Sequence, residues 1–222
     1  MKIQLMTIAL CAAVMLSCST SEISVQKDAL RQIKTVAVLP FTVEPGVSGK
    51  AGQESTDAFA SHMIRAGFRV VERQALDKIL KEKELAMSGL TAGRSIELGQ
   101  LLAADGLLEG RITRHDMETV DGNIELSAYG PDAYKPENDP KDGTYFQRNG
   151  TWYRKARLKV FRFQVLVRLM SARDGGVVFT LQNANPEMKY EVDAFGTPNG
   201  IDDFRNRVLQ QMGKDLAKAL KK

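Results

Sequence analysis

Apolar residues in this chain fall into short runs and helical stripes that follow one another in a regular order. Thr35-Val36-Ala37-Val38-Leu39-Pro40-Phe41 is a β-branched, apolar run closed by proline, the pattern of a buried strand. A glycine-rich loop, Pro45 to Gly52, follows. From Glu54 to Ala66 the apolar positions Phe59, Met63 and Ala66 recur at helical spacing, and Gly67 supplies a helix stop. Phe68 to Glu72 reads as a second strand. Leu76, Ile79, Leu80 and Lys83 set the inward edge of a second helix that ends near Ser88-Gly89, and a third helix, Ser95 to Ala103, leads into a strand from Gly106 to Thr113. Strand, helix, strand, helix, helix, strand is an α/β order.

The second half has a different texture. Asp116 to Lys155 is rich in glycine, proline and charge, so it reads as an irregular insertion (116–155) with weak structure of its own. Inside it, Asn149-Gly150 between Tyr145–Arg148 and Thr151–Arg154 is the pair that favours a tight hairpin turn. A long strand, Ala156 to Ala172, meets Val177 to Gln182 across Arg173-Asp174-Gly175-Gly176. Ile201, Phe204, Val208, Met212, Leu216 and Leu220 then form one stripe of a long C-terminal helix. Asp202 and Asp203 open it and Lys218, Lys221 and Lys222 close it, as the helix dipole prefers. That helix is expected to cover one face of the sheet.

The N-terminus adds an address. Lys2 precedes an apolar stretch, Leu5 to Leu16, then Ser17 and Cys18. The stretch is shorter than the roughly 20 apolar residues that span a bilayer, so residues 1–17 read as a cleaved secretory signal. Residues 18–33 read as a polar tether, and 34–222 as a single domain. Met15-Leu16-Ser17-Cys18 resembles the bacterial lipoprotein signal, with Met15 where leucine is usual. That resemblance implies diacylglyceryl and acyl modification of Cys18, and several chains make a permanent anchor where one would not.

Without residues 1–17 the chain keeps 205 of its 222 residues, enough for one core. Loss of Lys2 takes Lys plus Arg from 31 to 30 against 27 Asp plus Glu, a net charge of about +3, too weak a bias for a nucleic-acid partner. Cys11 leaves with the signal and Cys18 is consumed by lipid, so neither a disulfide nor a cysteine metal site is expected.

Candidate chemistry is sparse. Gly49-Lys50 follows a strand and precedes a helix, but a phosphate-binding loop needs glycine where Glu44 stands and serine or threonine where Ala51 stands. His62 and His115 have no ligand-type spacing with another histidine or a carboxylate. No serine carries a nucleophile-elbow glycine pattern. The chain therefore reads as noncatalytic, with no metal and no cofactor. Tyr145, Phe146, Trp152, Tyr153 and Arg154, with Arg148 and Lys155 among them, form either a recognition surface or a set of cross-strand packing pairs.

Val36–Phe41, Gly67–Leu76, Ile79–Glu82, Ser88–Leu90 and Leu101–Thr113 together resemble the CsgG/HfaB family, the curli and holdfast secretion lipoproteins. The resemblance implies a noncatalytic periplasmic domain with a mixed sheet flanked by helices, lipid-anchored through Cys18 at the outer membrane. It also implies a homo-oligomer, since members often form rings, and partners among other envelope proteins. The curli channel builds a barrel from two hairpins per subunit. Here 116–155 is broken by Pro131, Pro136 and Pro140, and only Ile124, Leu126 and Ala128 alternate; Met188, Tyr190, Val192 and Ala194 supply one short strand without a return. A chain without those hairpins is expected. The leading function is envelope assembly or secretion of surface components; the alternatives are a binding module that activates a periplasmic cell-wall synthase, or a ring-forming secretion pore subunit.

Overall fold

The computed structural model describes residues 21–82, 91–126, 145–192 and 194–220. In chain order the elements are β1 (Ser21–Val25), α1 (Lys27–Arg31), β2 (Thr35–Val38), β3 (Thr42–Val43), α2 (Gly49–Arg65), β4 (Arg69–Val70), α3 (Arg73–Glu82) and α4 (Ala92–Leu101). They continue with β5 (Gly106–Glu125), β6 (Tyr145–Arg148), β7 (Thr151–Ser171), β8 (Val177–Asn183), β9 (Glu187–Glu191) and α5 (Ile201–Leu220). The nine strands form one mixed sheet in the order β1-β8-β7-β5-β2-β4, with β3 beside β5 and with β6 and β9 beside β7. Contacts of β2 with β4 and β5, and of β3 with β5, are parallel; all others are antiparallel.

Alternation along β2 divides the core in two. Successive strand side chains point to opposite faces. Val36 and Val38 join the larger cluster, in which Phe59 and Met63 of α2 and Phe204, Val208, Leu209 and Met212 of α5 cover the sheet. Ala37 and Leu39 join the smaller one, against Leu76 of α3 and Leu98 of α4. Each fully buried Leu or Phe contributes about 1.5–3 kcal/mol, so the α2/α5 side dominates the stability. The expected C-terminal helix covers the sheet as its stripe requires, and the expected mixed sheet flanked by helices is the architecture found.

Helix ends follow local chemistry. Gly67 adopts φ 95° and closes α2 as expected, with Phe68 N–H donating to Met63 O at 3.1 Å and Gly67 N–H to Ile64 O at 3.0 Å. At the other end α2 starts earlier than the expected Glu54, because the Ser48 side chain caps it by accepting from Lys50 N–H at 3.3 Å. Gly49 to Gly52, expected as loop, are its first turn. Gly52 is required there, since a Cβ would meet Phe41 O and Val43 Cγ1 at 2.9 Å. The second strand shrinks to Arg69–Val70, and the expected end of the second helix at Ser88-Gly89 lies outside the described residues.

Two expectations fail outright. From Ser21 onward the supposed tether 18–33 is structure: β1 pairs with β8 from Ser21↔Asn183 to Val25↔Phe179, and α1 follows. Its Ile23 and Val25 alternate with polar residues and pack on the core, a period of two too short to stand out. The supposed irregular insertion 116–155 also contains regular structure. β5 runs unbroken to Glu125 and β7 begins at Thr151, paired from Gly106↔Ser171 to Glu125↔Tyr153 with one register shift between Ile112 and Arg114. Pairing in the sheet overrides the polar composition that suggested a loop.

Candidate functional site

Beyond Ile112 the β5–β7 pair runs past β2 and β3 as an arm whose root, at Phe163 and Phe161, is still packed in the core beside β9 and α5. From Arg114 to Glu125 it extends twelve residues, about 40 Å at roughly 3.3 Å per residue. One face of the arm carries Val120, Gly122 and Ile124 with Leu158 and Ala156 across from them; the other carries Asp121 and Asn123 with Arg157 and Lys155. Gly122 lets the apolar face close, because a Cβ there would lie 2.6 Å from Leu158 Cδ1.

β6 widens the tip. Asn149 (φ 51°) and Gly150 (φ 81°) make the expected hairpin turn, both left-handed as a type I′ turn demands. The structure places all five predicted partner-binding residues there. Tyr145 pairs with Arg154 and Phe146 with Tyr153 in register, and the Phe146 and Tyr153 rings stack at 5.5 Å. Trp152, beside the turn, stands across from Gln147. Arg154 Nη2 donates to both carboxylate oxygens of Glu191 on β9 at 2.7 Å, so part of its charge is used within the protein. Arg148, Lys155, Arg157 and Lys159 make no ion pair among the described residues.

The root of the arm is held by charge. Arg162 reaches Asp116 at 3.0 Å, Glu187 at 2.7 Å and Glu118, tying three strands and keeping the Glu187 carboxyl below its usual range. Arg205 of α5, only 2% exposed, pairs with Asp202 at 2.9 Å and with Glu54 of α2. His115 Nε2 lies 3.4 Å from Asp202 without hydrogen-bond geometry, and burial, with Arg205 nearby, pushes its pKa down. His62, the other histidine, sits between α2 and α5 with Nε2 3.1 Å from Leu209 O; burial lowers its pKa too.

Among the described residues no three His, Cys, Asp or Glu converge as metal ligands. A cleft between α2 and α3, lined by Thr56, Asp57, Arg73 and Asp77, holds about 50 Å³, space for water and far below the several hundred Å³ of a ligand pocket. No helix among the described residues is long and apolar enough to cross a membrane. Cys18 lies outside the described residues. Sequence reading missed the arm and Phe195, which stands fully exposed in the loop after β9. The alternation Val120-Asp121-Gly122-Asn123-Ile124-Glu125, matched by Lys155-Ala156-Arg157-Leu158-Lys159-Val160, is the signal that reveals the arm.

The chain is similar to three solved structures at low identity. Lipoprotein GNA1162 of Neisseria meningitidis matches at 12% identity, over 82% of this chain and 99% of that one, with a TM-score of 0.47. A PelC dodecamer from Paraburkholderia phytofirmans matches at 13%, over 89% and 95%, with a TM-score of 0.42. The LpoB C-terminal domain of Salmonella enterica matches at 8%, over 72% and 83%, with a TM-score of 0.37. No match is found among curated proteins. The family model described as "Curli production assembly/transport component CsgG" matches residues 17–125, from Ser17 through β1 to the last residue of β5. The chain thus carries a CsgG family domain.

Proposed function

We propose that this protein is a noncatalytic lipoprotein held by acylated Cys18 to the periplasmic face of the outer membrane, where it serves assembly or secretion of envelope components as a homo-oligomer with other envelope proteins. The observation that carries the reading is the position of β1. Among the described residues the sheet is already formed at Ser21, three residues after Cys18. At most about 3.5 Å per residue, the lead is about 10 Å and not the roughly 50 Å of a fifteen-residue tether. A domain on so short a lead works at its membrane. That weighs against the cell-wall synthase activator, which must reach across the periplasm.

The test is chemical and spatial. Protein extracted from cell envelopes should sediment with outer-membrane fractions and give an N-terminal peptide that starts at Cys18 and carries acyl mass. Cys18→Ala should release it from that fraction. A chain with an unmodified Cys18, or one recovered from the cytoplasm, defeats the reading.

A second reading, a ring-forming pore subunit, is favoured by one specific observation, the apolar–polar alternation on the β5–β7 arm. Membrane strands need about 9–11 such residues. Ion conductance across planar bilayers by the purified lipidated protein would favour this reading; a silent bilayer counts against it.

A further inference from the structure

We infer that the arm is a second membrane contact, a cationic and aromatic blade that lies on anionic phospholipid headgroups beside the lipid on Cys18. The inference rests on the anchored reading of Cys18. Its first support is direction. Ser21 pairs with Asn183, Gln182 with Leu166, and Leu166 with Arg111. β1 therefore enters the sheet at the level where β5 and β7 leave it. Because β1 is antiparallel to β8, and β8 and β5 are both antiparallel to β7, tracing β1 back toward Cys18 leads the same way as tracing β5 out toward the tip. An anchor within about 10 Å of Ser21 and an arm about 40 Å long at the same end of the sheet cannot both clear a bilayer.

The second support is what the arm displays. Arg148, Lys155, Arg157 and Lys159 make no ion pair among the described residues, and only Asp121 and Glu125 oppose them on the same face of the arm. Lysine and arginine stems with charged heads share their face with Tyr153 and Phe146, and Trp152 stands at the end of the arm on its other face; these are the residue types that settle at a membrane–water interface. Phe195 adds a fully exposed phenyl ring from the loop that follows β9, a strand that runs up the arm from Arg162 to Leu158. A hairpin with open edges cannot sit in hydrocarbon, where every backbone group must be paired. The arm of one copy therefore rests in the headgroup layer and does not cross.

Trp152 is the only tryptophan in the chain, so its fluorescence reports the tip alone. The lipidated protein is reconstituted on vesicles of phosphatidylcholine with and without phosphatidylglycerol. With phosphatidylglycerol, Trp152 emission should shift to the blue, lose most of its quenching by aqueous iodide and be quenched by lipid brominated near the headgroup. K155Q/R157Q/K159Q and F195S replace exposed or half-exposed side chains and leave the fold intact by circular dichroism. The triple variant should require about a hundredfold more anionic lipid for the same shift, at roughly fivefold per cation. If the protein floats with the vesicles while Trp152 stays equally open to iodide on both lipids, the arm contact is wrong and the anchor stands. If Trp152 reports the bilayer centre together with ion conductance, the arms have closed into a barrel and the surface arrangement is wrong. If mass spectrometry finds Cys18 without acyl chains, the shared premise fails and both proposals fall.

Discussion

The Ser21 backbone N–H donates to the Asp215 carboxylate at 3.1 Å across 194 positions, tying the first residue of β1 to α5. An edge strand of five residues that pairs with β8 on one side gains a second fastening there. Asp215→Ala should cost about 1 kcal/mol, the usual worth of one such bond. Amide exchange should quicken at Ser21 to Val25 more than elsewhere in the sheet. Unchanged protection of these five amides would mean that β8 pairing alone holds the strand.

Gly213 lets α5 approach α2, because a Cβ there would lie 2.2 Å from the His62 ring. Gly213→Ala should therefore destabilise the protein by about 1–3 kcal/mol through overpacking. Gly93, near the start of α4 with nothing within 4 Å of an added Cβ, is the control. Gly93→Ala should be neutral or stabilising by up to about 1 kcal/mol. Urea unfolding of the two variants side by side checks the contrast.

Arg205 fills a buried site and neutralises Asp202 and Glu54. Arg205→Ala removes both the pairing and the packing, and should cost about 3 kcal/mol. Arg205→Met keeps most of the volume and leaves two carboxylates that water can reach, so it should cost less than about 1.5 kcal/mol. Equal losses in thermal unfolding would show that charge, and not volume, sets the cost.

Both histidines make stability depend on pH. Their pKa values are lowered in the fold, His62 by burial with Arg65 nearby and His115 by burial with Arg205 nearby. The unfolded chain therefore takes up the two protons first, near the ordinary value of about 6.5. Their contribution is fully present above that value and is lost as pH falls below it. Asp105, Asp174, Glu187 and Asp203 have carboxyls lowered by hydrogen bonds, and their contribution is lost only further down, below about pH 4. Denaturant midpoints should drop between pH 7 and pH 5, and His62→Gln with His115→Gln should flatten that slope.

Legibility in the sequence followed the length of each pattern. The five-turn stripe of α5, the Gly67 stop and the Asn149-Gly150 turn all rest on local chemistry, and each stands where expected. β1 was hidden because two apolar residues, Ile23 and Val25, are all it contributes, and its pairing partner lies in β8. The arm was hidden for a related reason. Its alternation is diluted by Gly122 and by charged residues on the solvent side, and becomes visible only when β5 and β7 are set in register. The aromatic tip residues were found as a group, but their shared end of the sheet with Ser21 depends on strand directions that no local pattern encodes.

β7 belongs to the core at one end and to the tip at the other, twenty-one residues without a break, about 70 Å of continuous backbone. Mechanically the protein is a cantilever and not a body with a hinged finger. At the root of the arm the neighbouring strand gives at the register shift between Ile112 and Arg114, at the height where Thr42 and Val43 of β3 still brace it. A load at Trp152 is therefore delivered along β7 to Phe161 and Phe163, and from the Phe161 ring to Phe204 at 5.3 Å. Whatever presses on the tip is felt by α5, the helix that also holds the start of β1.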